Sequence, residues 1–547
     1  MMGGMMFRHT EQRGGYMNRR DVVIGATALA GLCAAPAFGQ SPPVVDTAQG
    51  RVRGREIDGI RVFKGLRYGA STAGKNRFRP PQPPPRWTGV IDAFDYGDQA
   101  PQPRGPLAAA GAMSEDCLRI NVWTPGLDGA KRPVMVWFHG GGFEAGSGSS
   151  PLYDGARLSR RGDVVVATIN HRLNVFGHCR LDAAWGDRFA QSGNVGYLDL
   201  VAALAWVKQN IAAFGGDPSN VMIFGQSGGG RKVSLCYAGA PSEGLFHKGA
   251  IQSGSHLRIQ TEDQAAALTG ELLKILDLPK GDAARLQAVP MDALVAAASK
   301  VNTAMNYRFS PVLDGATFRE HPFLPRAPAR SRNLPLMVGF NRTELTSQMG
   351  RIPGIFDLDE AGMVQRLKTF IPEADIPEAV ATFRRSRPQA SPSETFFTIS
   401  SARGYGLDST LLAEQRAKLA AAPTWVYRLM WRSPAEGGRR VTQHSLDLPF
   451  IFDNVADARG QAMTGPESDE TRAMARAMSE TWIAFARKGD PNNAAIPAWR
   501  PYDLARRTTM MFDVPSRAVE DPFPEERKFI GRYPSQQMDR TLHRLDL

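Results

Sequence analysis

Almost uninterrupted apolar runs alternate with segments of helical period through the middle of the chain. Pro133-Val134-Met135-Val136-Trp137-Phe138, Val164-Val165-Val166-Ala167-Thr168-Ile169, Val221-Met222-Ile223-Phe224 and Leu336-Met337-Val338-Gly339-Phe340 each read as a short strand buried on both faces. Between the second and third, Leu200, Val201, Leu204, Val207, Ile211 and Phe214 recur at helical spacing, which predicts an amphipathic helix that Phe214-Gly215-Gly216-Asp217-Pro218 ends. Strand, crossover helix and strand in this order predict parallel pairing and a doubly wound α/β sheet.

The flanking regions have other patterns. Residues 47–54 followed by Ile60-Arg61-Val62-Phe63 read as two short strands with a Gly turn, a hairpin-like N-terminal sheet. Arg79-Pro80-Pro81-Gln82-Pro83-Pro84-Pro85-Arg86-Trp87 breaks regular structure and reads as a rigid connector. Residues near 262–305 and 350–420 are rich in Ala, Leu and charged residues at helical spacing, as expected of insertions forming a helical cap. Residues 40–547 thus read as one domain carrying two insertions.

The apolar run at 221–224 ends abruptly in Gly225-Gln226-Ser227-Gly228-Gly229, a G-x-S-x-G sequence with a helix-like segment behind it. At a sharp strand-to-helix turn, glycines at 225 and 229 remove the side chains that would obstruct the serine, and the helix N-terminus favours a developing negative charge. Ser227 is therefore a candidate nucleophile, although so short a pattern also fits an ordinary Gly-rich turn. The earlier strand at 133–138 runs into His139-Gly140-Gly141-Gly142-Phe143, whose glycine N–H groups can turn inward; Gly141 and Gly142, with Gly228, are the candidate oxyanion donors.

A nucleophile of this kind needs a base and an acid further along the chain, in the order acid then histidine. Five of the nine histidines, His247, His256, His321, His444 and His543, follow Ser227. The first three leave no room for an intervening acid, and His543 sits in a charged tail. His444, just before Leu448-Pro449-Phe450-Ile451-Phe452, is the candidate base. Glu344, in the exit loop of the strand ending at Phe340, is the candidate acid. Asp314, in a D-G pair that reads more simply as a turn, is its rival, and Asp447 reads as a loop carboxylate too close in sequence to His444.

Composition adds a large core and little else: 547 residues, 42% hydrophobic and 22% charged. The net charge of +12 is spread in pairs such as Arg160-Arg161 and Arg439-Arg440, which argues for solvated surface charge and against a nucleic-acid partner. No ligand cluster for a metal and no need for an organic cofactor is visible. Asn18-Arg19-Arg20-Asp21-Val22-Val23, a weakly apolar stretch and small residues near Ala35-Pro36-Ala37 resemble a twin-arginine signal over residues 1–39, which predicts export to the periplasm or medium without a stable membrane anchor. Cys117, Cys179 and Cys236 remain beyond it, with no C-x-x-C pair, and read as buried thiols.

Taken together, Ser114-Glu115-Asp116-Cys117-Leu118, residues 139–143, Asn170-His171-Arg172-Leu173-Asn174-Val175-Phe176-Gly177, residues 214–230, Phe340-Asn341-Arg342-Thr343-Glu344, residues 444–454 and Trp482-Ile483-Ala484-Phe485-Ala486 resemble the type-B carboxylesterases, which include cholinesterases and bacterial para-nitrobenzyl esterases. The resemblance covers nearly the whole chain beyond the signal-like segment. It implies an α/β-hydrolase fold, hydrolysis of small-molecule carboxylic esters through an acyl-enzyme, and Glu344 as the acid. Three positions depart from the family pattern: Gln226 where a glutamate is usual, Gly228 where an alanine is usual, and Ala100 where many relatives carry the disulfide partner of the cysteine matching Cys117. Amide or lactone hydrolysis by the same residues is an alternative activity, and a non-catalytic binding role a further one. Phe143, Trp185, Phe309 and Phe396 are candidates for lining a gorge, or for plain core packing.

Overall fold

An 11-stranded sheet organises the chain in the spatial order Arg517–Val519, Thr509–Phe512, Thr424–Leu429, Leu336–Asn341, Lys248–Gln252, Gly216–Gln226, Arg132–Phe138, Val165–Ile169, Arg119–Thr124, Ile60–Arg67 and Arg55–Ile57. This computed structural model describes residues 42–105 and 111–537; the signal-like segment 1–39 and His543 lie outside them. Seven neighbouring strands, from Thr509–Phe512 to Val165–Ile169, run parallel, and antiparallel strands flank them. The strand order reverses direction at Gly216–Gln226. In a doubly wound sheet, the crevice beyond the carboxyl ends of the strands at this point is where ligands bind.

The apolar runs are continuous because both faces are covered. Val134, Val136, Phe138, Val221, Ile223 and Ile251 enter one core layer, while Met135, Trp137, Met222, Phe224 and Ala250 enter the opposite one. The helices Val195–Asn210 and Gly228–Ala238 close the first layer, and Asp469–Lys488, through Met474, Met478, Trp482 and Phe485, closes the second. Val195–Asn210, followed by a tight turn at Ile211–Phe214, is the helix its spacing predicts, with Leu200, Leu204 and Val207 buried, but its polar face is narrow. Only Ala205, Lys208 and Gln209 of its later turns are exposed, because protein packs around most of its circumference.

The expected N-terminal hairpin is split. Arg51–Arg53 pairs with Val44–Asp46 and Val90–Asp92 in a separate three-stranded sheet, whereas Ile60–Arg67 pairs with Arg55–Ile57 at the edge of the large one. The division falls at Gly54, where a Cβ would lie 2.7 Å from the Phe63 ring. Val52 and Phe63 nonetheless bury in the same core.

Helices also form in both insertion regions. Glu262–Leu276, opened by a capping box between Thr261 and Gln264, packs with Met291–Met305 around Leu268, Leu272, Leu294 and Val301. Glu360–Leu367, Ile376–Arg385 and Pro392–Ser401 enclose a further cluster that includes Leu367, Phe383, Phe396 and Phe397. Phe396, Trp185 and Phe309 are core residues of these clusters. Cys117, Cys179 and Cys236 are buried free thiols, and burial raises the pKa of each.

Candidate active site

Ser227 joins the strand Gly216–Gln226 to the helix Gly228–Ala238 with φ +57° and ψ −123°, a conformation that L-residues rarely adopt. Two backbone bonds hold it there: its N–H donates to Gln252 O at 2.8 Å, and Arg231 N–H donates to Ser227 O at 3.0 Å. The helix behind it packs hard on the neighbouring strand. A Cβ at Gly229 would fall 1.9 Å from Phe138 O, so no other residue fits that position without shifting the strand.

The second glycine cluster meets the same turn. Gly141 (φ +85°) and Gly142 (φ +63°) form a turn off the end of Arg132–Phe138 that closes through Ala145 N–H to Gly141 O. Gly142 lies against Gly228 so closely that a Cβ on Gly228 would be 2.4 Å from Gly142 N and 2.2 Å from Gly142 O. Among the described residues, the N–H groups of Gly141, Gly142 and Gly228 donate to no protein acceptor. Three unpaired donors beside a strained serine are costly unless an anion or water meets them, and they provide the chemistry of an oxyanion site.

On the far side, Glu344 and His444 approach although 100 residues separate them. His444 Nδ1 lies 2.5 Å from Glu344 Oε2, while Glu344 Oε1 accepts the Asn341 N–H at 2.7 Å. Glu344 is fully buried, and the His444 side chain retains 10% exposure. The two loops are fastened together: Thr343 N–H donates to Thr442 O, Thr442 N–H to Thr343 Oγ1, and Asn341 Nδ2 to Gln443 O. A carboxylate on Nδ1 fixes that nitrogen as the donor, which leaves Nε2 as the acceptor.

That acceptor faces Gln226. Gln226 Nε2 lies 3.1 Å from His444 Nε2 and 3.4 Å from Nδ1, and Gln226 is only 2% exposed. Among the described residues, Ser227 Oγ makes no hydrogen bond, so in this state the amide occupies the nitrogen to which the serine proton would go. Bonds of this kind commonly form only in the substrate complex.

The rival acids have other tasks. Asp314 accepts from Asn194 Nδ2 and from the N–H groups of Thr317 and Phe318, closing a turn. Asp447 is not a loop carboxylate. It is buried at the head of the short helix Asp447–Ile451 and accepts from Gln252 Nε2 at 2.7 Å; burial, with the nearby Glu344 charge, pushes its pKa up to about 6. His247 and His321 accept backbone N–H groups, of Val221 and Ile259 respectively.

Several groups around the glycine loop were not singled out from the sequence. Lys232, one turn into the nucleophile helix and buried, donates to His139 O at 2.9 Å and Gly142 O at 3.0 Å. Burial, and secondarily Arg231, lowers its pKa to about 7. Beneath it His139 stacks on His171 with centroids 4.8 Å apart, and burial keeps both pKa values well below the usual range. Glu144 takes a bond from Asn302 of the first helical insertion, and burial pushes its pKa up to about 7. From the second insertion a π-helical turn, Ala402–Gly406, brings the Tyr405 ring within 5.1 Å of His444. The one sequence signal for Lys232 was a lysine on a helix that must pack against the sheet.

Residues 41–529 match the model of the carboxylesterase family. The chain is 33% identical over 513 residues to the para-nitrobenzyl esterase of Bacillus subtilis, covering 90% of this chain and 99% of that protein. It is 30% identical to the phenmedipham hydrolase of Pseudarthrobacter oxydans, covering 84% and 92%. The crystal structure of a Geobacillus stearothermophilus carboxylesterase superimposes with a TM-score of 0.78 at 36% identity, covering 89% of this chain and 99% of that one.

Proposed function

Because the chain belongs to the carboxylesterase family and is a carboxylic ester hydrolase of the serine type, we propose that Ser227 is its nucleophile, His444 its base and Glu344 the residue that orients the base. The observation that carries this reading is the 2.5 Å contact between His444 Nδ1 and a fully buried Glu344, with Gln226, the neighbour of the strained Ser227, against the same imidazole.

As the substrate carbonyl enters, Ser227 Oγ attacks it and His444 Nε2, released by the Gln226 amide, takes the proton. Glu344 stabilises the resulting imidazolium and holds its tautomer. The N–H groups of Gly141, Gly142 and Gly228 receive the oxyanion, a donor of this kind being worth about 2.7–4 kcal/mol in the transition state. His444 returns the proton to the leaving alcohol, and water repeats the sequence on the acyl-enzyme. Every proton is moved by these side chains. The name of the para-nitrobenzyl esterase supports small esters with an aromatic portion as the substrate class.

Release of para-nitrophenol from a short-chain ester tests the assignment. Ser227→Ala and His444→Ala should each lower kcat by about 10⁴-fold or more with the fold intact; a Ser227→Ala variant with near-native turnover would remove Ser227 from the role. Release of para-nitroaniline from an anilide and of acid from a lactone test the alternative activity. We also propose that residues 1–39 direct twin-arginine export, as Arg19-Arg20 and the apolar stretch behind them support. Arg19→Lys with Arg20→Lys should then keep the enzyme in the cytoplasm, and normal export of that variant would refute it.

A further inference from the structure

Against one face of the strands Leu336–Asn341 and Thr424–Leu429, and lined by none of the glycine-loop residues, lies a pocket of about 340 Å³. Part of its wall is apolar, with Phe340, Leu411, Val426, Phe523 and Ile530. Set into that wall is Arg428, 6% exposed, with its guanidinium 5.1 Å from the Phe340 ring centroid and 5.2 Å from that of Phe523.

The arginine has no carboxylate of its own. Its Nε and Nη2 are buried and, among the described residues, meet no acceptor. The acids at the cavity are already engaged: Glu414 by Arg507, Asp521 by Arg527 and Glu526 by Arg387. Glu394, nearby, is shared by Arg342 and Arg432. A buried guanidinium left unpaired while each neighbouring acid is spoken for is an energetic anomaly, since isolated charge is expensive in a poorly solvated interior. Burial, and secondarily Arg387, lowers the Arg428 pKa to about 9, with Glu526 and Glu344 opposing the shift.

We propose that this cavity binds a carboxylate bearing an apolar tail, with the carboxylate at the Arg428 guanidinium where it lines the pocket and the tail along Phe340, Leu411 and Phe523. A guanidinium without a carboxylate partner is a natural counter-charge for such an anion. The volume lies at the small end of ligand pockets, about 300–1,000 Å³, and the mixture of apolar wall with one directed polar group is typical of them. Carboxylates of this class are also what ester hydrolysis releases, so the cavity offers the enzyme a way to respond to its own product. The site does not depend on which residues perform the hydrolysis.

Calorimetric titration of octanoate and octan-1-ol into the full chain tests this. The wild type should bind octanoate more tightly than the alcohol, and Arg428→Met should weaken octanoate binding roughly 10- to 100-fold while leaving the alcohol unaffected. Equal octanoate affinity in wild type and Arg428→Met would place the ligand elsewhere, the hydrolytic crevice included, and overturn the proposal. So would a wild type that does not distinguish acid from alcohol. A crystal of the wild type soaked with 8-bromooctanoate gives a reading that requires no variant to fold: bromine signal between Phe340 and Phe523 supports the site, and signal confined to the Ser227 crevice or absent from both refutes it.

Discussion

Gln226 Nε2 stands 3.1 Å from His444 Nε2, so a neutral amide occupies a place beside the imidazole where a carboxylate would act on its charge. A negative group there stabilises the imidazolium and makes the base harder to deprotonate. Gln226→Glu should therefore move the acidic limb of kcat/KM upward by about 1 pH unit or more. A pH–rate profile between pH 4 and 9 on one aryl ester measures this, and coincident limbs would show that the side chain turns away from His444 in the working enzyme.

Gly228 admits the Gly142 peptide to a distance that a methyl group would occupy, with 2.2 Å from the would-be Cβ to Gly142 O. Gly228→Ala should displace Gly142 N–H and lower kcat by about 10²-fold, the scale of losing one oxyanion donor, with little change in KM. Since Lys232 ties down the same carbonyl, adding Lys232→Met should let the loop retreat and restore part of that loss. A double-mutant cycle in kcat with additive effects would mean that the two residues do not act on one loop.

Lys232 has a folded pKa of about 7 against 10.5 for the free side chain. Between these values the unfolded chain binds more protons, so this lysine's contribution to stability rises as pH rises from about 7 to 10.5 and is lost as pH falls back through 7. Urea midpoints across that range should climb less steeply in Lys232→Met than in the wild type. Parallel curves would indicate an ammonium that stays charged.

Asp447 titrates in the opposite sense. Its pKa is raised from 3.8 to about 6, so the folded state holds the proton more tightly and its stability contribution falls as pH rises through that window. Asp447→Asn, which keeps an acceptor for Gln252 Nε2, should be the more stable protein at pH 7.5, by no more than about 3 kcal/mol, with the gap closing towards pH 4. Chemical denaturation at the two pH values checks it.

The three buried cysteines give a covalent prediction. Alkylation of the denatured but unreduced chain from residue 40 onwards should add three labels, at Cys117, Cys179 and Cys236, and the native chain should take up none rapidly. A single label after denaturation would reveal a disulfide.

Much of this was legible because apolar runs and glycines carry information locally. The buried strand at 221–224 and the turn at Ser227 follow from a few consecutive residues, and Leu336–Asn341 locates Glu344 in its exit turn. What sequence could not supply was burial around the whole circumference. Val195–Asn210 shows a helical period whether one side or nearly all sides are covered, and Asp447 looks polar in a loop until Gln252 is seen against it. The pairing of residues 47–63 in two sheets involves partners far along the chain, and Phe63 itself packs against Phe214 more than 140 residues away. Lys232 and Arg428 escaped notice for the same reason: a basic residue announces charge, and only the fold reveals that it has been enclosed.

The rungs joining Asn341 and Thr343 to Thr442 and Gln443 stand where the chain enters the second run of helices. Those helices begin at this clamped neck and end at Lys418, just before the sheet strand Thr424–Leu429, much as an interchangeable attachment is seated on a fixed mount. Lineages could lengthen, trim or exchange the segment between residues 345 and 418 and so trade one repertoire of esters for another. The acid and the histidine on either side of the neck would keep their separation through each exchange.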